Sequence, residues 1–435
     1  MSKTLRKVYV YWENFGTKKL LLKVIEKTFS YKKKLERRVK SPESKDMHIA
    51  HAVATTHILQ QRFPNIKPLP ICSNFDNTPR INLVTDSLLD DSFYGGIATS
   101  IIFAILIANN QKKKLRIITR HTGGGKANFK ALIDRENLIL KQNVEFILCP
   151  LAGGKYIDTC DEDVFITTSW WTTASVQKSI PDNQVIYILQ EDERMFYPFG
   201  DEHLLCSEVM ASPNINILVN TKLLYTHLIK EGFENISAKG LYFEPSFNKI
   251  LYKRNKAKVV KNKRRLFFYA RPGHARNLFY RGIEALDKAL ELGVIDTNLW
   301  DLYFLGTASQ KIKFSNGYSP ISLPNLPWND YIDFLQTVDL GLSLMYTPHP
   351  SYPPFDLATT GCVVITNKFG IKENLTNYSK NILTSDLDIR SLVETLENGI
   401  LLSTDNEKRY ENYLNNNIES DWSCSFNYAI KKFTN

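Results

Sequence analysis

Residues Leu342 to Thr366 read LSLMYTPHPSYPPFDLATTGCVVIT. Two apolar runs, Leu340–Met345 and Cys362–Thr366, have the length of buried strands, and Asp339 leads the first. Four prolines, a histidine and an aspartate lie between them. Pro353 and Pro354 are suited to open a helix, because proline lacks the N–H that a first helical turn leaves unpaired. Gly361 is a fitting stop for that helix. The unit is strand, loop, short helix, strand, so parallel strands are expected. In open α/β sheets, ligands bind beyond the carboxyl ends of the strands, where this loop lies. Free N–H groups at a helix start favour an anion, and Asp356 in the first turn suits a hydroxyl. Together they fit a phosphate joined to a sugar. The competing reading is a proline-stiffened connection with Asp356 as a cap.

The chain has 435 residues, 43% of them hydrophobic and 12% aromatic, enough for two or three domains with real cores. No apolar run reaches the roughly 18 residues of a membrane span; the longest, Gly95–Asn110, falls short. The start is basic and lacks a cleavable apolar stretch, so no signal peptide is expected. Six cysteines without a CxxC pair read as reduced thiols of a cytosolic protein. The net charge of +10 is concentrated: residues 1–40 hold 13 Lys/Arg against 3 Glu, and the remainder holds 42 of each sign. This segment includes Tyr9, Tyr11, Trp12, Phe15 and the run Leu20–Phe29. It reads as an amphipathic arm for an anionic membrane surface, against the alternatives of a solvated arm or a helix docked on its own domain. A nucleic-acid reader more often spreads its basic residues over a folded face, so no nucleic acid is expected as a partner.

Outside the quoted loop, strand and helix signals alternate. His48–Arg62 reads as a helix, and its histidines lack metal-ligand spacing. Strands are expected at Arg80–Leu88, Lys114–Arg120 and in VEFILCP, DVFITTSWW, QVIYILQ and NINILVN, with a helix after the Gly95–Gly96 turn. Lys249–Arg265 carries nine basic residues and no acid and reads as an exposed crossing between domains. Leu266–Ala270 starts a second run of alternation. The fold class is therefore α/β, with two Rossmann-like doubly wound domains facing across a cleft. The boundaries are 1–45 for the arm, 46–260 and 261–418 for the domains, and 419–435 for a helix packing back toward the first domain.

Four strand ends carry candidate chemistry. Gly95 and Gly96 let a backbone approach a diphosphate or a sugar ring, or form a plain turn. YARPGHARN, Tyr269–Asn277, puts Arg271 and Arg276 in one strand-end loop, where guanidinium groups bind phosphate oxygens bidentately. QEDERMFYPFG, Gln190–Gly200, crowds Glu191, Asp192 and Glu193 beside Phe196 and Tyr197. Acids next to aromatic rings suit a sugar, and one acid suits a general base; a solvated acidic turn is the alternative. TSWWTT, Thr168–Thr173, offers Trp170 and Trp171 as a platform for an acceptor sugar or as core. Asp161–Asp163 precedes a strand, at the wrong end for a ligand, and reads as a polar turn. HTGGGK, His121–Lys126, lacks phosphate-loop spacing and a following helix and reads as a flexible loop.

The second half resembles glycosyltransferases of the GT-B fold. YARPGHARN stands in the place of their GRL…KG element, with Arg271 for its arginine and Arg276 for its lysine. Leu326–Met345 has the layout of their segment before the donor loop. Where retaining members carry two glutamates eight positions apart, this chain has Pro348 and Asp356. QEDERMFYPFG, FYARPGHARNLFYRGIEAL and SLMYTPHPSYPPFDLATTGCVVITN together resemble the WsaF-type rhamnosyltransferases of bacterial surface polysaccharides, over roughly Arg80 to Leu383. The resemblance implies a dTDP-L-rhamnose donor and retention of anomeric configuration, with Arg271, Tyr352 and Asp356 serving the donor nucleotide.

The expected donor set is Gly95, Gly96, Arg271, Arg276, Asn277, Ser351, Tyr352, Pro353 and Asp356. Trp170, Trp171, Phe196 and Tyr197 are expected at the acceptor, and Glu191, Asp192 or Glu193 as base or orienting acid. No metal or cofactor is expected, since the arginines take the metal's charge role. The expected activity is transfer of L-rhamnose to a growing glycan or lipid-linked glycan, in the cytoplasm or at the inner face of its membrane. The alternatives are another nucleotide-sugar donor, such as a UDP-hexose, and a non-catalytic glycan- or nucleotide-binding protein.

Overall fold

The computed structural model describes residues 54–73, 78–89, 95–151, 153, 156–247, 263–306 and 311–434. The basic arm and most of the basic crossing fall outside them. Of the helix expected over His48–Arg62, the described part is helical from Thr55 to Arg62.

Both main sheets lie within the compact unit Leu59–Asn435. A short parallel pair joins β1 (Ile71–Ser73) to β5 (Ile157–Thr159). The first main sheet holds β2 (Arg80–Thr85), β3 (Lys114–Thr119), β4 (Val144–Leu148), β6 (Val164–Thr167), β7 (Val185–Leu189), β8 (Asn216–Asn220) and β9 (Leu241–Phe243). Their order is β4-β3-β2-β6-β7-β8-β9, and every pairing is parallel. The second sheet holds β10 (Arg264–Tyr269), β11 (Trp300–Leu305), β12 (Ile321–Leu323), β13 (Leu340–Leu342), β14 (Val363–Asn367) and β15 (Ile382–Ser385). Its order, β12-β11-β10-β13-β14-β15, is again wholly parallel. The expected pair of doubly wound α/β layers is therefore present. In each sheet the order reverses beside the first strand, so a crevice opens between β2 and β6 and another between β10 and β13.

The strands are continuous apolar runs because both faces of a parallel sheet are covered by helices. The longest apolar stretch forms helix α1 (Gly96–Gln111), buried from Ala98 to Ile105 and again at Ile107 and Ala108. One side of α1 lies on the first sheet. The other is covered by the final helix Trp422–Thr434, with the Phe103 and Phe426 rings 5.0 Å apart. That double burial accounts for a segment nearly as apolar as a membrane span. Among the described residues, no helix is long and apolar enough to cross a membrane. Truncating Phe426, which is fully buried, is expected to cost about 3–5 kcal/mol.

One local expectation changes and another, the polar turn at Asp161–Asp163, holds. HTGGGK does precede a helix: Gly125, at φ +79°, opens Lys126–Glu136, and a β-carbon there would strike the Leu88 backbone. The Asp161–Asp163 turn is structural, since Asp163 is buried and accepts the Arg80 amide at 2.7 Å.

Candidate active site

The second-sheet crevice lies between the loop after β10, which holds Arg271 and Arg276, and the quoted loop after β13. Arg271 donates to the Tyr269 hydroxyl at 3.3 Å and to His274 Nε2. Among the described residues, no carboxylate pairs with Arg271. Partial burial and then the two arginines lower the pKa of His274, in keeping with its role as acceptor. The two loops are tied together: Tyr346 N–H donates to the Arg276 carbonyl at 2.7 Å, and buried Asn277 reaches Met345 Sδ at 3.5 Å. Asn277 therefore holds loop to loop. Gly306, directly after β11 at φ +142°, packs against the Ala270 carbonyl beneath Arg271.

The expected short helix runs from Tyr352 to Thr359, and Gly361 follows at φ +72°. Its start offers fewer donors than anticipated. Pro353 and Pro354 remove two N–H groups, and the Ser351 N–H is used by His349 Nδ1 at 2.9 Å. Ser351 is itself held at φ +71°. Tyr352 also departs from expectation: its hydroxyl is buried against the first domain, 2.7 Å from Thr99 Oγ1 and 3.0 Å from Asn220 Nδ2. Asp356 is buried and accepts the Tyr331 hydroxyl at 3.3 Å.

The three consecutive acids do not form one cluster. All are buried, contrary to the solvated turn, and each meets different partners. Asp192 accepts two bonds from the Arg194 guanidinium, at 2.8 and 2.6 Å, and faces His227 Nε2 at 3.2 Å. Despite burial, those contacts hold its pKa down at about 2. It is a structural ion pair, not a base. Glu193 accepts the Trp170 amide at 2.7 Å, at the start of helix Trp170–Gln177. Burial is the main cause that raises its pKa to about 8, so it too serves its own domain. Only Glu191 crosses to the second sheet. Its Oε2 lies 3.1 Å from Arg276 Nη1, and its Oε1 accepts the Thr347 hydroxyl. Burial raises its pKa, and Arg276 opposes that rise.

The tryptophans also diverge. Trp170 is core, its Nε1 donating to the Tyr197 hydroxyl at 2.9 Å, so neither Trp170 nor the Tyr197 hydroxyl offers an open platform. Trp171 spans the first-sheet crevice: its Nε1 lies 2.9 and 3.1 Å from the two oxygens of Asp86, which follows β2. His121, after β3, faces the same carboxylate at 3.5 Å. Burial outweighs the nearby cations and raises the pKa of Asp86. Phe196 is 38% exposed and lies under the Arg276 guanidinium at 4.4 Å. Gly95 opens α1 at φ +65°, while the Gly96 carbonyl accepts Gln190 Nε2.

Sequence reasoning missed Asp86, His121, His349 and Lys372. Asp86 ends a strand and was detectable in principle. Lys372 was not, because a lysine in a polar loop gives no sign that it will be buried.

Residues 80–222 match the WsaF N-terminal domain and residues 264–397 the WsaF C-terminal domain. The O-antigen biosynthesis protein RfbC of Myxococcus xanthus is 27% identical over 230 residues, which are 52% of this chain and 17% of that protein. The chain thus spans about a sixth of that relative. Anabaena Alr3699/HepE, solved in complex with UDP-glucose, aligns at TM-score 0.56 and 14% identity, over 82% of this chain and 99% of that one. Sucrose-phosphate synthase of Thermosynechococcus elongatus aligns at 0.53 and 10%, over 82% and 98%. At such identities the structural likeness speaks for the fold.

Proposed function

Because the chain belongs to the WsaF family of GT-B glycosyltransferases, we propose that it moves L-rhamnose from dTDP-L-rhamnose to a growing bacterial surface glycan. The observation that carries this reading is the arginine pair at the second-sheet switch crevice, where Arg271 has no carboxylate partner among the described residues. A strand-end guanidinium left without a counter-ion suits a diphosphate. The nucleoside lies toward Asp356 and Tyr331. Deoxyribose has no 2′-hydroxyl, so one short carboxylate on the 3′-hydroxyl suffices.

The acceptor enters from the first-sheet crevice, where Asp86 and His121 take hydroxyls and Trp171 holds the carboxylate in place. In the transfer, an acceptor oxygen bonds to the anomeric carbon as the carbon–oxygen bond to the diphosphate breaks. The electron pair leaves with the diphosphate, whose charge Arg271 and Arg276 stabilise. Glu191 alone of the three acids reaches the seam between the sheets, and it orients the acceptor hydroxyl and takes its proton. The basic arm brings the protein to an anionic membrane surface.

A second reading, a UDP-hexose donor, is favoured by the UDP-glucose bound in the HepE structure. Incubation with dTDP-L-rhamnose and UDP-glucose, with release of dTDP or UDP measured, separates the two. Release of dTDP alone, lost in Arg271→Ala, supports the first; release of UDP alone replaces it with the second. Release of neither, with binding of one, favours a non-catalytic protein.

A further inference from the structure

Behind the Arg276–Glu191 pair lies a buried cluster that the transfer scheme leaves unused. Lys372, in the loop after β14, is fully buried. Its ammonium has three N–H donors. Two point to backbone carbonyls, Met345 O at 3.2 Å and His349 O at 3.4 Å. Among the described residues no carboxylate lies within ion-pair distance of it. His349, 3% exposed, accepts the Ser351 amide at Nδ1, so its proton sits on Nε2. That N–H is buried and, among the described residues, has no acceptor. Burial first, then Lys372 and Arg276, lower the pKa of His349 to about 3, which keeps the ring neutral.

The charges do not balance. Lys372 and Arg276 bring two positive charges to this space, and Glu191 brings one negative charge from the other domain. Burial is the main cause lowering the Lys372 pKa, to about 8, and Glu191 opposes it. A buried excess of positive charge beside an orphan N–H donor calls for an anion. Three second-sheet loops supply the donors: Arg276 after β10, His349 after β13 and Lys372 after β14.

We propose that Lys372, Arg276 and His349 Nε2–H form an anion seat for the sugar-bearing phosphate of the donor, and that Glu191 is a counter-ion which this phosphate displaces. The inference rests on the nucleotide-sugar reading above and deepens it. A diphosphate ester carries two negative charges and several acceptor oxygens, which suits the seat better than one carboxylate. Displacement also frees Glu191 from Arg276 only when donor is bound, so the acid becomes available to an acceptor hydroxyl at that moment.

The test is calorimetric titration of the full-length chain with dTDP, dTMP, UDP and UMP, for wild type, Lys372→Met and Glu191→Gln. Wild type is expected to prefer a diphosphate over its monophosphate. Lys372→Met is expected to weaken the diphosphate by about tenfold or more and leave the monophosphate nearly unchanged. Glu191→Gln is expected to tighten the diphosphate by about fivefold, because a competing charge is gone. If Lys372→Met does not fold, Glu191→Gln decides alone. An unchanged diphosphate preference in Lys372→Met, or weaker diphosphate binding in Glu191→Gln, overturns the seat and leaves the donor-site reading standing. Failure of wild type and Glu191→Gln to bind any nucleotide overturns the donor-site reading, and the seat with it.

Discussion

The Tyr352 hydroxyl lies 2.7 Å from Thr99 Oγ1, joining the first turn of a second-domain helix to the first turn of α1 in the first domain. Asn220 Nδ2 donates to the same phenol oxygen at 3.0 Å, and Thr99 passes its own proton to the Gly95 carbonyl at 3.1 Å. The result is a buried relay of hydrogen bonds across the seam. Burial is the main cause that lifts the Tyr352 pKa to about 12, so the phenol remains a donor through the physiological range.

Tyr352→Phe is therefore expected to destabilise the protein by about 0.5–1.5 kcal/mol, because it removes the phenol's hydrogen bonds to buried Thr99 and Asn220, which keep the Gly95 carbonyl and Gln190 as partners. Paired with Thr99→Ala in a double-mutant cycle, it should show a coupling of about 0.5 kcal/mol or more in denaturant unfolding. Additive effects would mean that the contact does not join the domains.

Gly306→Ala is expected to act on the donor site from behind. The new methyl would overlap the Ala270 carbonyl and come 3.3 Å from Arg271 Cγ, at a φ of +142° that side chains rarely adopt. The loop carrying Arg271 must shift. Nucleotide affinity should fall by about tenfold, as for loss of a charge-assisted contact, alongside a lower melting temperature. Unchanged affinity would remove Arg271 from the donor site.

Glu193 should give the stability a pH slope. Its carboxyl titrates near 8 in the folded protein, against an ordinary value of 4.5. Between those values the folded state holds a proton that the unfolded chain has lost. This contribution is thus complete below pH 4.5 and fades as pH rises through 8. The unfolding free energy should fall from pH 5 to pH 7.5, with the slope approaching tenfold in the equilibrium constant per pH unit. Glu193→Gln should flatten it. An equal slope in that variant would mean that Glu193 is ionised in the fold.

Asp86→Asn tests the acceptor crevice. The amide keeps the shape of the carboxylate beside Trp171, so folding should be little affected, but its strength as a hydroxyl acceptor drops. Transfer to methyl glycosides should fall by about tenfold, while hydrolysis of the nucleotide sugar by water stays within about twofold. Equal losses in both reactions would place Asp86 on the donor side or in the framework.

The strand-and-helix alternation, the parallel sheets and the helix starting at the proline pair of the quoted loop were legible in the chain. They follow from local causes: apolar run length, proline's missing N–H and a glycine stop. The loop arginines were legible for the same reason, as charged residues placed at strand ends by short-range pattern. The fates of Glu191, Asp192 and Glu193 were not. Adjacent residues on a turn point in different directions, and each is defined by a group far along the chain: Arg276, His227 and the Trp170 amide. Trp170 and Trp171 separate into core and crevice for the same reason. The burial of Lys372 and the orphan N–H of His349 arise only where loops from three strands of one sheet converge. Local pattern thus determined which elements form and which strand ends carry charge. Tertiary packing alone decided which of those charges are neutralised within a domain and which are left for a ligand, because desolvation and pairing depend on neighbours that sequence separation conceals.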